Sequence, residues 1–187
     1  MTAFSPNAAM NPIRKESAGG QTRFERIMLP HLNAAYNLAR WLARNDHDAD
    51  DLVQEAYLRA FRSFETFAGD DSDARAWLLT VMRNTCFTFL RRRGERSALE
   101  FDEQMHSAAD PAPDAESVFL NKAALGSLHE CLEGLPLEFR EAIVLRELEE
   151  MSYKEIGNIA RVPVGTVMSR LARARKRLQQ CLEGTLR

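Results

Sequence analysis

Thr166, Arg170, Arg173 and Arg177 recur at three- and four-residue spacing near the end of the chain. On a helix that spacing aligns one hydroxyl and three guanidinium groups along one side. A guanidinium can read a guanine edge bidentately in a major groove, and other bases hold phosphates. Gly165 at the helix start leaves room for close backbone approach, and the free amides of that turn can accept a phosphate. Val167, Leu171, Ala174 and Leu178 share the face that packs on the domain, which places the basic row on the opposite side, toward solvent. A solvated basic face on an ordinary surface helix is the bland alternative.

A second basic set, Arg91, Arg92, Arg93 and Arg96, closes another segment. Arginines there also complement a helix dipole. Arg75, Arg83 and Asn84 lie away from the apolar positions Trp77, Leu78, Val81, Met82, Cys86, Phe89 and Leu90, and they extend the basic face along the same helix. The loop before it carries Gly69, Asp70, Asp71, Ser72 and Asp73. Its acidity makes it a poor phosphate binder and better suited to an unpaired, extruded base. A third feature is Leu58, a large apolar side chain centred on a polar helix face with Asp51, Gln54, Glu55 and Arg62. Such a residue is a candidate protein contact, against the alternative of one stray exposed leucine.

Helices must position all of these residues. Phe24, Ile27, Met28, Leu32, Ala35, Tyr36, Ala39 and Leu42 predict one long or two joined helices, with Pro30 opening the second part. Leu52, Val53, Ala56, Tyr57, Ala60, Phe61 and Phe64 predict a buried stripe, with Asp46 and Asp48 at its N-cap and first turn. Further on, a helix over about 118–133 stops at Gly134, and another opens near Pro136. Ser152-Tyr153-Lys154-Glu155 is a capping box. It opens a short helix, interrupted at Arg161-Val162-Pro163 and followed by the long basic helix, which is the helix-turn-helix plan.

The fold class is therefore all-α, as two small helical domains joined by a flexible acidic linker, the second domain containing the helix-turn-helix. Residues 1–22 form a disordered lead-in, 23–96 the first domain, 97–117 the linker and 118–187 the second domain. The linker holds six acids and no Lys or Arg, together with Pro111 and Pro113. Residues 161–187 hold seven bases and one acid. Hence the net charge of −2 over 187 residues, which at first argues against a nucleic-acid binder, is a sum of opposed blocks.

Other chemistries find little support. Cys86, Cys131 and Cys181 stand 45 and 50 residues apart with no CxxC pair, which is neither a disulfide framework nor a zinc module. His31, His47, His106 and His129 are scattered, and no metal or cofactor is expected. No phosphate-cradling glycine loop and no nucleophile–histidine arrangement argues for an enzyme. No run approaches a membrane span, so the reading is a soluble cytoplasmic protein without direct membrane insertion.

Together the motifs resemble the extracytoplasmic-function sigma factors of bacterial RNA polymerase. Asp50-Asp51-Leu52-Val53-Gln54-Glu55 is similar to that family's DDLVQE stretch. Ala76-Trp77-Leu78 with Arg83-Asn84 and Arg91-Arg92-Arg93 is similar to its promoter-melting helix. Ser152 to Ile156 and Gly165 to Leu171 are similar to its −35-reading helix-turn-helix. The resemblance implies a dissociable, non-catalytic subunit. Asp50, Asp51, Gln54, Glu55 and Leu58 would meet the clamp of core RNA polymerase. Gly69 to Asp73 would receive a flipped base, with Arg75, Trp77, Arg83, Asn84 and Arg91 on the −10 promoter DNA. Gly165, Thr166, Ser169, Arg170, Arg173 and Arg177 would serve the −35 element. An anti-sigma factor would be the inhibitory partner. The family often has Asp where Thr88 stands and Lys where Met168 stands. The competing readings are a stand-alone helix-turn-helix regulator, for which no dimerisation region follows the last helix, and a protein that only holds a partner.

Overall fold

The computed structural model describes residues 23–99 and 116–185, and every regular element among them is helical. A first group comprises α1 (residues 23–28), a 3₁₀ turn Leu29–His31, α2 (Leu32–Ala43), α3 (Asp46–Ser63) and α4 (Ala74–Leu99). The second comprises α5 (Glu116–Glu133), α6 (Leu137–Ile143), a π-helical turn Val144–Leu148, α7 (Tyr153–Ala160) and α8 (Val164–Thr185).

Local chemistry explains the boundaries. Pro30 sits in the 3₁₀ turn, where its missing N–H costs nothing. Arg44 ends α2 in the left-handed conformation, φ 60°. The cap of α3 is Asn45, whose side chain accepts from the Asp48 amide at 3.0 Å, so Asp46 and Asp48 occupy the first turn. That corrects the expected cap by one residue; both acids still favour the helix dipole. Pro136 is the N-cap of α6. The capping box on α7 forms as expected, with the Ser152 amide donating to Glu155 Oε2 at 2.7 Å and the Glu155 amide to Ser152 Oγ at 3.2 Å.

In the first unit α2, α3 and α4 pack on one another around fully buried Met28, Leu38, Leu42, Leu78, Leu79 and Met82. Each such side chain contributes roughly 1.5–3 kcal/mol of burial. Val144, Leu145, Ile156, Ile159 and Leu171 do the same in the second unit, where α8 lies on α5, α6 and α7. Two residues assigned to the core stripe by periodicity are exposed instead, Leu32 at 42% and Phe61 at 46%. Each lies at the edge of its stripe, and Phe61 is covered on one side only, by Phe24 of the short helix α1.

The two units are packed against each other, α4 on α7 and α2 on α6. Residues 97–99 continue α4, and 116–117 begin α5, so the linker is shorter than expected at both ends; its remainder, like the lead-in 1–22, lies outside the described residues. Cys131 and Cys181 form a disulfide that ties α5 to α8. This overturns the reading of the cysteines as unpaired. Their 50-residue separation carries no local signal, and only the return of α8 along α5 brings them together. Cys86 is free and buried, and burial pushes its thiol up to about 12.

Candidate nucleic-acid and protein-binding surfaces

On α3, Asp50, Asp51, Gln54, Glu55 and Leu58 are all exposed and share one side of the helix, because Leu52, Val53, Ala56 and Ala60 turn inward. Glu55 accepts from Arg59 Nε at 2.7 Å, and Asp51 lies 4.0 Å from His47. Leu58, 52% exposed, does not stand alone. Phe24, Glu25, Gln54, Tyr57, Leu58 and Phe61 line an open groove of about 440 Å³. The Phe24 ring meets Phe61 and Phe64 edge-on at 5.3 and 5.2 Å. Tyr57 Oη donates to the Met28 carbonyl at 2.9 Å, and burial raises its hydroxyl to about 12, which keeps the groove wall neutral. Phe61 was missed as a surface residue, its signal being its position at the stripe margin beside Leu58, while Phe24 is buried as expected and forms the floor of the groove.

The segment 69–73 is more ordered than a plain loop. Asp71–Asp73 make a 3₁₀ turn, and the Asp70 amide donates to Asp73 Oδ2 at 3.2 Å. A Cβ on Gly69 would lie 2.9 Å from Asp73 Cβ and 3.0 Å from the Phe67 ring, so only glycine fits between them. Behind the turn, Trp77 and Phe67 are 5.2 Å apart, and Phe67 stacks on Phe64 at 5.9 Å. Asp70, Asp71, Ser72 and Asp73 are exposed, beside this aromatic wall.

The basic side of α4 is not the solvent face that the sequence suggests. Arg75 Nη2 donates to Glu149 Oε2 at 2.5 Å, and Arg83 Nε donates to Glu141 Oε1 at 2.7 Å. Both acceptors belong to the second unit. The Arg83 guanidinium also lies 3.8 Å over the Phe87 ring. Asn84 is half-buried. Further along, Arg93 Nη1 donates to Asp48 Oδ2 at 2.8 Å, while Arg91 remains exposed, 3.9 Å from Glu95. Helical phase alone placed these arginines in water; the docking of α6 and α7 on α4 covers two of them.

In the helix-turn-helix, Arg161 adopts the left-handed conformation at φ 55° and Val162 N donates to the Gly157 carbonyl at 2.9 Å. A Cβ on Gly157 would sit 3.0 Å from the Val162 carbonyl oxygen, so glycine permits the tight return. Val167, Leu171 and Ala174 are buried and Leu178 packs on the core. Gly165, Ser169, Arg173 and Arg177 are exposed, and Thr166 is half-buried. The expected opposition of the row to the apolar face needs correcting. At 100° per residue, Arg170 sits only about 60° from Val167, Arg177 about 80° and Arg173 about 120°. Arg170 accordingly turns inward, its Nη1 3.7 Å from Glu141 Oε2, and the Arg177 guanidinium lies 5.4 Å over Phe139. Arg173 is the member of the row turned furthest outward.

Glu141 is thus approached by Arg83 from one unit and Arg170 from the other, at 1% exposure. Burial pushes its carboxyl above the ordinary carboxylate range, against the pull of both guanidinium groups. Among the described residues no three His, Cys, Asp or Glu side chains cluster to hold a metal ion, and no helix is long and apolar enough to cross a membrane.

The Sigma-70 region 2 family model matches residues 27–96 and the Sigma-70 region 4 model residues 125–178. The chain is 36% identical over 161 residues to the ECF RNA polymerase sigma factor SigE of Mycolicibacterium smegmatis, covering 85% of this chain and 61% of that protein. It is 30% identical over 183 residues to the RNA polymerase sigma-H factor of Pseudomonas aeruginosa, covering 94% of each. In structure it is similar to the sigma factor RpoE of Bartonella quintana, solved with the anti-sigma factor NepR, with a TM-score of 0.68, 30% identity and coverage of 86% of this chain and 97% of that one. The fold also matches CnrH, solved with the cytosolic domain of CnrY, at a TM-score of 0.63 and 24% identity.

Proposed function

The chain belongs to the extracytoplasmic-function sigma factors, with the family's regions 2 and 4 in order along it, and on that premise we propose how its surfaces divide the work of transcription initiation. The polymerase-facing surface is the exposed side of α3, Asp50, Asp51, Gln54, Glu55 and Leu58, of which Gln54 and Leu58 line the groove with Phe24 and Phe61. An apolar groove lined in part by Glu25, beside a helix that exposes Asp50, Asp51 and Glu55, fits a helical partner carrying basic and aliphatic side chains, as an interface core inside a polar rim. This face carries the reading, because it is the surface on α3 that the protein's own core leaves uncovered.

Residues 23–96 act at the −10 element and 118–187 at the −35 element, joined by the acidic segment between α4 and α5. The Gly69 to Asp73 turn receives an extruded base beside the half-buried ring of Trp77, which is backed by buried Phe67. Arg75, Arg83, Asn84 and Arg91 track the melted strand. Gly165, Thr166, Ser169, Arg170, Arg173 and Arg177 enter the major groove, with Arg173 reading a base edge. The protein has no catalytic step of its own and works in the cytoplasm. The Bartonella relative's complex with an anti-sigma factor supports a partner of that kind here.

The test is reconstitution. The protein is incubated with core RNA polymerase and a promoter library, and transcripts are sequenced. Promoter-specific transcripts that depend on both elements are expected. Absence of transcripts together with tight, sequence-specific duplex binding by the protein alone would overturn this reading in favour of a stand-alone regulator.

A further inference from the structure

Two carboxylates of the second unit are almost completely buried against the first. Glu141 on α6 is 1% exposed and Glu149, just after the π-helical turn, is 3% exposed. A buried carboxylate costs several kcal/mol unless it is paired and hydrogen-bonded. The pairing of Glu149 comes from across the interface, through Arg75 Nη2 at 2.5 Å on Oε2 and Asn37 Nδ2 at 3.1 Å on Oε1. Glu141 takes Arg83 Nε at 2.7 Å on Oε1 from across the interface. Its Oε2 has no hydrogen bond and only the longer ion pair with Arg170 at 3.7 Å, from its own unit. Three of the arginines assigned above to promoter DNA therefore converge on two acidic side chains.

We propose that Glu141 and Glu149 form an intramolecular latch, in which their carboxylates occupy Arg83, Arg170 and Arg75 in place of DNA and so hold the two units closed. The part concerning DNA rests on the function proposed above. Arg83 and Arg170 are only 16% and 23% exposed while they face Glu141, and Arg75 has one nitrogen committed to Glu149, so closure withdraws these guanidinium groups from approaching DNA and opposes promoter reading. Charge-assisted bonds of this kind fix the register of the two units. The buried apolar side chains of both units belong to one continuous cluster, which supplies the adhesion between them. Opening exposes part of that shared cluster to water, a cost that the hydration of each released carboxylate and the phosphate gained by each arginine offset. The loose Arg170 pair lets go first, and the Arg83 and Arg75 pairs decide whether the units part.

The test uses the full chain and reads shape separately from DNA affinity. Small-angle scattering gives the radius of gyration, and fluorescence anisotropy gives affinity for a short duplex of arbitrary sequence that carries a single-stranded overhang. The double variant Glu141→Gln with Glu149→Gln should expand by several ångströms relative to wild type and bind the duplex about tenfold more tightly, as freed arginines contribute phosphate contacts. Arg75→Glu and Glu149→Arg should each open the chain, and the two together should close it again. Arg83→Gln checks closure from the first unit by scattering alone, so it decides the matter even if Glu141→Gln unfolds the second unit. Wild-type dimensions in the double variant and in Arg83→Gln would overturn the latch. Expansion with unchanged duplex affinity would keep the latch and instead overturn the assignment of these arginines to DNA.

Discussion

The rings of Phe24 and Phe61 meet edge-on at 5.3 Å, and from that contact an apolar strip runs out of the core to Leu58 on the surface of α3. The exposed Leu58 is thus the outer end of a continuous apolar path, bordered by Gln54 and Glu25. That arrangement costs solvation in the isolated chain and is recovered only when a partner covers it.

Leu58→Asp should weaken binding to core RNA polymerase by about 2 kcal/mol or more, the range of a central interface residue. The circular-dichroism spectrum and melting temperature should stay as in wild type, because the side chain is outside the packed core. A collapse of the fold would instead make Leu58 a packing residue.

Arg173 and Arg170 should behave differently. Arg173→Ala should cost about 1–3 kcal/mol on promoters with the preferred −35 base and little on others, measured as transcription across a −35 variant library. Equal loss on all sequences would make it a phosphate contact. Arg170→Ala should also lower the stability of the second unit by about 1–3 kcal/mol in urea titration, since it takes one counter-charge from buried Glu141.

The Cys131–Cys181 bond closes a loop of 50 residues in sequence. Dithiothreitol, or the paired change Cys131→Ser with Cys181→Ser, should lower the stability of the second unit by about 2–4 kcal/mol. Calorimetry under oxidising and reducing conditions measures it, and the serine variant should lose its response to reductant.

The α7 capping box gives a signed pH dependence. Hydrogen bonds from Ser152 hold the Glu155 carboxyl below its ordinary value. A carboxyl depressed in the folded state contributes stability above its unfolded pKa and loses it as pH falls through the folded one. Glu155→Gln should therefore flatten the acid limb of the stability curve, followed by thermal melting over a pH series. Ser152→Ala should cost about 1 kcal/mol at neutral pH.

Much of this was legible before any coordinates. The capping box, the break at Arg161 and the apolar row Val167, Leu171 and Ala174 specify the helix-turn-helix, because caps and helical period are local properties read within a few residues. The exposed side of α3 was legible for the same reason. Phe61 was not, because periodicity reports which side of a helix is apolar and does not report where the neighbouring helices stop.

Arginine placement shows the division most clearly. Residue type and spacing put Arg75 and Arg83 on the polar side of α4 and Arg170 on a solvent-facing row of α8, although Arg170 in fact turns inward beside Val167. Only the docking of the two units brought Glu141 to Arg83 and Glu149 to Arg75, across 58 and 74 residues of chain. The pairing of Cys131 with Cys181 was decided in the same way. Local sequence determines helices, caps and faces because those depend on neighbours within about one or two turns. Which charges and thiols meet depends on how completed helices pack, and that is a property of the whole chain.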